Sequence, residues 1–340
     1  MKNSKWLRNI IIIAIAVLAV LGIFLVIREK RLKVKVLILP KFEVGDMAGD
    51  YPGEAQLYYE GYLKDCREYT LPGDDTDSKL YYKDGIALYV LGMGKTASAM
   101  NLVKILEDDR FDFSDAYIIS TGCAGGSTGT CVPGDVVIAS AVVDYDLGYR
   151  ADIREMQDRE GVTWFHDSAY DENAYKVMDA SLIDKIFRAT KDLNLSTTDV
   201  TTDYMRRAFE DEDWALRNPK TMKGTVVTSD TYWKGLYNHN EAIYICDSYG
   251  CKDAYAATEM EDIAVANVAD KYNMLNRLVI IRVIVDEDTF MNGATPEKLW
   301  DPDFVATIAS NDSEESLGIF ETAMENNFRV GKEIIDKILK

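Results

Sequence analysis

Three short segments in the second half of the chain carry side chains that could act together on one small ligand. Segment 228–233 ends in two adjacent aromatic residues, segment 258–262 carries carboxylates where we expect a helix, and segment 282–288 reads as a strand that ends in acids. An aromatic ring can stack on a flat heterocycle, one carboxylate can accept hydrogen bonds from a diol, and another can protonate a ring nitrogen. This combination suits a nucleoside.

Two glycine-rich turns lie upstream of these segments. Gly92 and Gly94 have one residue between them and are followed by Lys95, whereas a phosphate-binding Walker loop has four residues between its glycines. We therefore interpret 92–95 as a tight strand-to-helix turn. The second turn, 120–126, is made of small residues and predicts a pocket floor at the carboxyl end of a strand.

The elements that must position these groups alternate along the chain. Short β-type runs are separated by single helical stretches, which is typical of an α/β fold with a mixed central sheet flanked by helices. The expected strands are 34–39, 86–91, 116–120, 135–143, 224–228 and 278–285. The expected helices are about 95–107, 259–272 and a C-terminal one at 314–339 that packs back on the sheet, with further helical structure in 167–219.

The first 36 residues are of a different kind. From Ile10 to Ile27 the chain has eighteen consecutive apolar residues, Gly22 included, with basic residues on both sides. At a rise of about 1.5 Å per residue, this is close to the minimum length of a transmembrane helix. A cleavable signal peptide is the alternative, although no small-residue cleavage motif follows. We expect 1–36 to be an uncleaved single-pass membrane anchor before a domain at 37–340.

The charge and the scarcity of histidine exclude several classes of function. A net charge of −19 argues against nucleic-acid binding, because phosphate-rich partners need basic patches. With His166 and His239 as the two histidines, we predict neither a metal site nor a cofactor. The five cysteines form no C-x-x-C pair, and Cys246 and Cys251 are a candidate disulfide if the domain is exported.

Seven motifs follow one another in the order of a known family. Over about residues 34–300 the chain resembles the purine nucleoside permease family, which is similar to the nucleoside phosphorylase and nucleosidase superfamily. The motifs are Pro52-Gly53-Glu54-Ala55, Gly92-Met93-Gly94-Lys95-Thr96-Ala97-Ser98-Ala99, Thr121-Gly122-Cys123-Ala124-Gly125, Pro133-Gly134-Asp135-Val136, Asp230-Thr231-Tyr232-Trp233-Lys234-Gly235, Glu259-Met260-Glu261-Asp262 and the segment 282–288. Val283, Val285 and Cys123 depart from the residues that are usual at these positions.

The resemblance implies a fold like that of nucleoside phosphorylases, a purine nucleoside as the ligand, and a role for each matching residue. Asp286 matches the acid that hydrogen-bonds purine N7, and Glu261 matches the carboxylate that binds the ribose hydroxyls. Met260 would lie against the sugar, Tyr232 would stack on the base, and Trp233 would close the base pocket. The other substrate-binding positions that the resemblance implies are Cys123, Ala124, Gly125 and Asp230.

The absence of arginine from two segments indicates whether water or phosphate attacks the sugar. Phosphorylases of the superfamily bring arginines after the first strand and before the second glycine turn, whereas neither 40–64 nor 118–121 contains an arginine. We therefore expect hydrolysis rather than phosphorolysis, which stays open as an alternative. Glu54 and Glu43 could each activate a water, and Glu54 fits the family motif better.

A second class of function also stays open: a nucleoside-binding component of nucleoside transport, without turnover. One apolar span cannot enclose a polar pathway, so a transport role would require a separate channel. We expect a membrane-anchored domain on the extracytoplasmic side, because an N-terminal span on a catalytic domain serves chiefly for export. A homo-oligomer is a further possibility.

Overall fold

The described part of the chain comprises most of the expected domain. A computed structural model describes residues 31–74, 78–151, 163–209, 213–289 and 314–339, with Ile13 alone before them. Apart from Ile13, the expected membrane span at 10–27 lies outside these residues. Within the described ranges, no helix has the length and apolar character needed to cross a bilayer.

The domain is built on a mixed sheet, as the sequence predicts. The strands are β1 (Leu32–Lys33), β2 (Val36–Leu39), β3 (Arg67–Tyr69), β4 (Leu80–Lys83), β5 (Ile86–Leu88), β6 (Phe111–Asp112), β7 (Tyr117–Gly126), β8 (Val136–Asp144), β9 (Tyr149–Arg150), β10 (Trp164–Phe165), β11 (Tyr175–Val177), β12 (Thr221–Thr228), β13 (Tyr255–Glu259) and β14 (Leu278–Glu287). Nine of the described strands follow the order β11-β8-β12-β13-β7-β2-β5-β4-β3, and β14 pairs with both β7 and β8. The strands β7, β14, β8, β12 and β13 therefore form a closed ring without an exposed edge.

The central strands are continuous apolar runs. All four residues of β2 are buried, and so are the first seven of β14. Such runs are typical of strands that are covered on both faces. The parallel pairs β2–β7 and β14–β7 bring the carboxyl ends of these strands to one edge, where the candidate site lies.

Helices cover the sheet. They are α1 (Gln56–Tyr62), α2 (Lys95–Leu106), α3 (Asp171–Ala174), α4 (Ala180–Thr190), α5 (Asp199–Phe209), α6 (Leu236–Ser248), α7 (Asp262–Lys271) and α8 (Glu314–Leu339). The expected helical character of 167–219 is present in α3, α4 and α5, and the C-terminal helix α8 packs against β14 as expected. Helices α2 and α7 pack against each other.

Several elements differ from the sequence prediction: strands β3, β4 and β11 were not expected, and two further differences concern a helix boundary and a helix. The helix expected at 259–272 begins only at Asp262, because 255–259 forms strand β13 and the Glu259 carboxylate accepts the N–H groups of Glu261 and Asp262 in the turn between them. Glu261 therefore lies at a turn and not within a helix. Helix α6 was not predicted, since the acidic Glu241 interrupts its buried face.

Candidate active site

The carboxyl end of β7 forms the floor of the candidate site. Strand β14 runs parallel to it, with Arg282 opposite Gly122 and Asp286 opposite Gly125. A Cβ added at Gly122 would lie 2.5 Å from Glu54 Oε1, and one added at Gly125 would lie 3.3 Å from Asp286 Oδ1. Since the strand rises by about 3.3 Å per residue, the two acids lie against β7 at points about 10 Å apart. Glycine at both points lets these carboxylates approach the backbone.

Glu54 is held by backbone N–H groups from the loop after β2 and from strand β7. Its Oε2 accepts from the N–H groups of Lys41 at 2.7 Å and Phe42 at 3.3 Å, and its Oε1 accepts from the N–H of Cys123 at 2.7 Å. Burial raises the pKa of the Glu54 carboxyl, and the nearby Arg282 guanidinium partly opposes this. A fixed, buried carboxylate with a raised pKa is suited to accept a proton from water.

Glu43, the other carboxylate considered for this role, supports the loop instead. Its Oε1 accepts from the N–H of Val44 at 2.8 Å, and its Oε2 accepts from the N–H of Ala55 at 2.7 Å. A Cβ at Gly53 would meet Glu43 Oε1 at 1.7 Å, so glycine is needed there. The structure thus places Glu54, and not Glu43, against the β7 floor.

A buried arginine binds the three carboxylates of segment 258–262. Arg282 is 1% exposed, and it donates to Glu259 Oε2 at 2.7 Å, Glu261 Oε2 at 3.1 Å and Asp262 Oδ2 at 2.7 Å. Burial, together with the Asp262 carboxylate, raises the pKa of Glu259 to about 8. Burial also acts on Asp262, but the Arg282 guanidinium outweighs it and holds the pKa of that carboxyl below its usual range.

Lys41 is a second buried cation, and the sequence analysis missed it. Its Nζ donates to Ser120 Oγ at 2.6 Å and to the Leu39 carbonyl at 2.8 Å, and it lies 3.9 Å from Asp262 Oδ1. Burial lowers the pKa of Lys41. The signal was its place two residues after the buried strand β2, where a charged residue has to find a partner across the sheet.

Glu261 is fixed from two directions. Its Oε1 accepts from the N–H of Gly94 at 2.9 Å, while its Oε2 faces Arg282. Gly94 has a φ of +85°, a conformation that glycine adopts without strain, and it directs its N–H to the acid. The tight turn predicted at 92–95 therefore positions a carboxylate rather than a phosphate.

Asp286 receives two donors from the aromatic segment. Tyr232 Oη donates to Asp286 Oδ2 at 2.8 Å, and Lys234 Nζ lies 2.7 Å from the same oxygen. Burial alone would lower the pKa of Lys234, but the Asp286 carboxylate more than offsets this and raises it. Lys234 lies in the motif 230–235, but the sequence does not reveal that it pairs with Asp286.

The remaining predicted residues are divided between floor, rim and core. Tyr232 is 62% exposed, so its ring is open to a ligand, whereas Trp233 is buried and stacks on Tyr145 with ring centroids 5.3 Å apart. Asp230 lies on the rim and accepts the N–H of Lys95 at 2.8 Å. The others are Cys123, Ala124 and Gly125 on β7, and Met260 between β13 and α7.

An open cavity borders this site. Its volume is about 570 Å³, and it shares Gly94 and Asp230 with the rim. Its other lining residues are Met93, Thr96, Ala97, Met100 and Asn101. The cavity therefore lies beside the rim, and neither Glu54 nor Asp286 lines it.

Comparisons with known sequences identify a matching family model and related proteins. The model of the purine nucleoside permease family matches residues 33–340. A probable purine nucleoside permease of Schizosaccharomyces pombe is 25% identical over 224 residues, which cover 58% of this chain and 63% of that protein. A 5′-methylthioadenosine/S-adenosylhomocysteine nucleosidase of Bacillus licheniformis is 27% identical over 209 residues, 62% of this chain and 71% of that protein. The chain thus spans less than two thirds of the first of these relatives.

Solved structures of nucleosidases are similar in fold. The enzyme of Neisseria meningitidis in complex with methylthio-immucillin-A has a TM-score of 0.54 at 20% identity, over 90% of this chain and 100% of that one. The enzyme of Colwellia psychrerythraea in complex with adenine has a TM-score of 0.54 at 17% identity, over 90% of this chain and 96% of that one. At these identities the likeness shows the fold alone.

Proposed function

The chain belongs to the purine nucleoside permease family, and we propose that it binds purine nucleosides and cleaves their N-glycosidic bond with water. The observation that carries the proposal is the placement of Glu54 and Asp286 against one stretch of β7, with Glu261 bound to Arg282, whose charge also acts on Glu54. A carboxylate for the water, one for the sugar and one for the base are what this cleavage needs.

The bond between the anomeric carbon and the purine N9 breaks with its electron pair leaving on the base. Asp286 faces the base, and a proton delivered to N7 neutralises the departing purine. Lys234 keeps a positive charge 2.7 Å from Asp286 and orients that carboxyl, which regains its proton from solvent after each turnover. Tyr232, whose hydroxyl is bonded to the same oxygen, presents its exposed ring to the base.

Water completes the reaction on the sugar side. The Glu261 carboxylate accepts hydrogen bonds from the ribose hydroxyls and stabilises the positive charge that develops on the sugar. Glu54 takes one proton from the water, and the water oxygen bonds to the anomeric carbon. The products are the free base and free ribose.

Water is favoured over phosphate as the attacking group because the two buried cations, Arg282 and Lys41, are already bound to other groups of the protein. Arg282 donates to three carboxylates, and the Lys41 ammonium donates to Ser120 Oγ and to the Leu39 carbonyl. A phosphate dianion would have to displace these partners inside a chain of net charge −19. The site geometry therefore favours hydrolysis.

A binding role in transport, without turnover, is the second candidate. The family's name and the permease of S. pombe favour it. We propose for either role that 10–27 anchors the chain in a membrane and that the domain lies outside the cytoplasm. Self-association stays a prediction.

Product analysis distinguishes the candidates. Full-length protein in detergent micelles is mixed with inosine, adenosine or 5′-methylthioadenosine, and free base and sugar are separated by chromatography, with and without millimolar phosphate. We expect free base and free sugar at a rate that phosphate leaves unchanged. A sugar 1-phosphate as the main product would establish phosphorolysis, and affinity without any product would establish binding alone.

A further inference from the structure

The C-terminus of helix α6 brings two cysteines together. Gly250, with a φ of +64°, donates its N–H to the carbonyl of Asp247 at 2.9 Å, and Cys251 donates its N–H to the carbonyl of Cys246 at 3.0 Å. These two bonds define a Schellman motif, in which the side chains of the first and last residue meet. In this chain both of those residues are cysteine, and both are free thiols.

The geometry is within the range of a disulfide. A direct backbone hydrogen bond between two residues limits their Cα separation to about 7 Å, and disulfides span Cα distances of about 4.4–6.8 Å. The two thiols also act on each other, and this interaction raises the pKa of Cys246 and lowers that of Cys251. Two small apolar residues would satisfy the Schellman contact equally well, so the presence of two thiols is what calls for an explanation.

We propose that Cys246 and Cys251 are an oxidation site, which forms an intramolecular disulfide by exchange with a disulfide such as oxidised glutathione. Cys251 is half-buried and reachable from solvent, whereas Cys246 is buried beneath it. The Cys251 thiolate attacks one glutathione sulfur and releases one glutathione thiolate. The Cys246 thiolate then attacks the Cys251 sulfur of the mixed disulfide and releases the second glutathione. The protein loses two electrons and two protons, and glutathione disulfide is reduced.

The bond would tie α6 to the turn before β13. Strand β13 ends at Glu259 in the buried charge cluster, and α6 carries His239, whose Nδ1 lies 2.7 Å from Asp288 Oδ2. The disulfide would therefore fix two elements that border the candidate site without touching Glu54 or Asp286. It would persist in an oxidising compartment, and this agrees with a domain outside the cytoplasm.

A single tryptic peptide tests the proposal. Trypsin cleaves after Lys234 and Lys252, so residues 235–252 leave as one peptide that contains both cysteines. Folded full-length protein is equilibrated with oxidised glutathione or with dithiothreitol, alkylated and digested. After oxidation we expect this peptide to resist alkylation and to be lighter by two hydrogen atoms, and the melting temperature to rise by about 4 °C.

Two single-cysteine variants provide the controls. Cys251→Ala, at the less buried position, should fold and lose the oxidation-dependent rise in melting temperature, while Cys66→Ala should retain it. Two alkylated thiols in peptide 235–252 after oxidation of the folded protein would overturn the proposal. An equal rise in melting temperature for Cys251→Ala would do the same.

Discussion

The substitution Glu54→Gln tests whether this carboxylate activates the water. Both oxygens of Glu54 accept backbone N–H groups, so the amide of Gln has to turn its NH₂ toward one of these donors. An unsatisfied buried donor costs about 1–3 kcal/mol of folding free energy. Loss of a general base lowers kcat by about 10²–10⁴-fold, which corresponds to about 3–5 kcal/mol of activation free energy. The catalytic loss should therefore exceed the structural one.

Glu43→Gln is the matched control for the structural part. Glu43 lies on the same loop, and both of its oxygens also accept backbone N–H groups. Its substitution should reduce stability to a similar extent, because the same type of donor is left unpaired. Since Glu43 does not contact the β7 floor, kcat should fall by about tenfold or less, or about 1.4 kcal/mol.

The assay combines initial rates of base release with thermal unfolding of each variant. In the wild type, kcat/KM should rise with pH until Glu54 is ionised, at a pH above that of an ordinary glutamate, because burial raises its pKa. Glu54→Gln should lose this acidic limb. Equal losses of kcat in the two variants, or full activity in Glu54→Gln, would refute the assignment of Glu54 as the base.

Three further substitutions test the other acids. Asp286→Asn should keep nucleoside affinity within about tenfold and lower kcat by about 10²-fold or more, which binding and single-turnover measurements check. Glu261→Gln should slow cleavage of ribosides far more than of 2′,3′-dideoxynucleosides, because a charge-assisted hydrogen bond of about 1.5–3 kcal/mol is lost only with ribosides. Burial raises the pKa of Glu287 to about 7, so between about pH 4.5 and 7 the folded state holds a proton that the unfolded state has released. The contribution of Glu287 to the free energy of unfolding should therefore fall by about 3 kcal/mol as the pH rises through this range. Glu287→Gln should flatten that dependence in urea unfolding.

The sequence predicted those parts of the fold and site that local patterns encode. The apolar runs of β2, β8 and β14 were found because strands covered on both faces need them. Asp286 and Glu54 were singled out because each lies in a short motif of the family that the chain resembles, and their catalytic roles stay predictions. The turn at Gly94 was also placed correctly, although only the structure reveals that its N–H serves Glu261.

The remaining features depend on partners that are distant along the chain. Lys41 and Lys234 look like ordinary lysines until the fold brings them to Asp262 and Asp286. The boundary between β13 and α7 was missed because Glu259 turns its carboxylate back to cap the next residues, a choice that no periodicity records. A buried ion pair leaves no local pattern, since burial and partner are both set by tertiary structure.

The proposed hydrolysis and the proposed role in transport would have a common physical basis. A nucleoside crosses a membrane with difficulty, because each ribose hydroxyl costs about 4–8 kcal/mol to transfer from water into hydrocarbon. Under the proposed function, cleavage at the membrane surface would remove the sugar and leave a base with fewer polar groups for a separate carrier. Under the proposed anchoring at 10–27, the domain would be held where substrate arrives, while a single span encloses no pathway of its own. Nucleoside use would then require the carboxylates of Glu54, Glu261 and Asp286 rather than a pore within this chain.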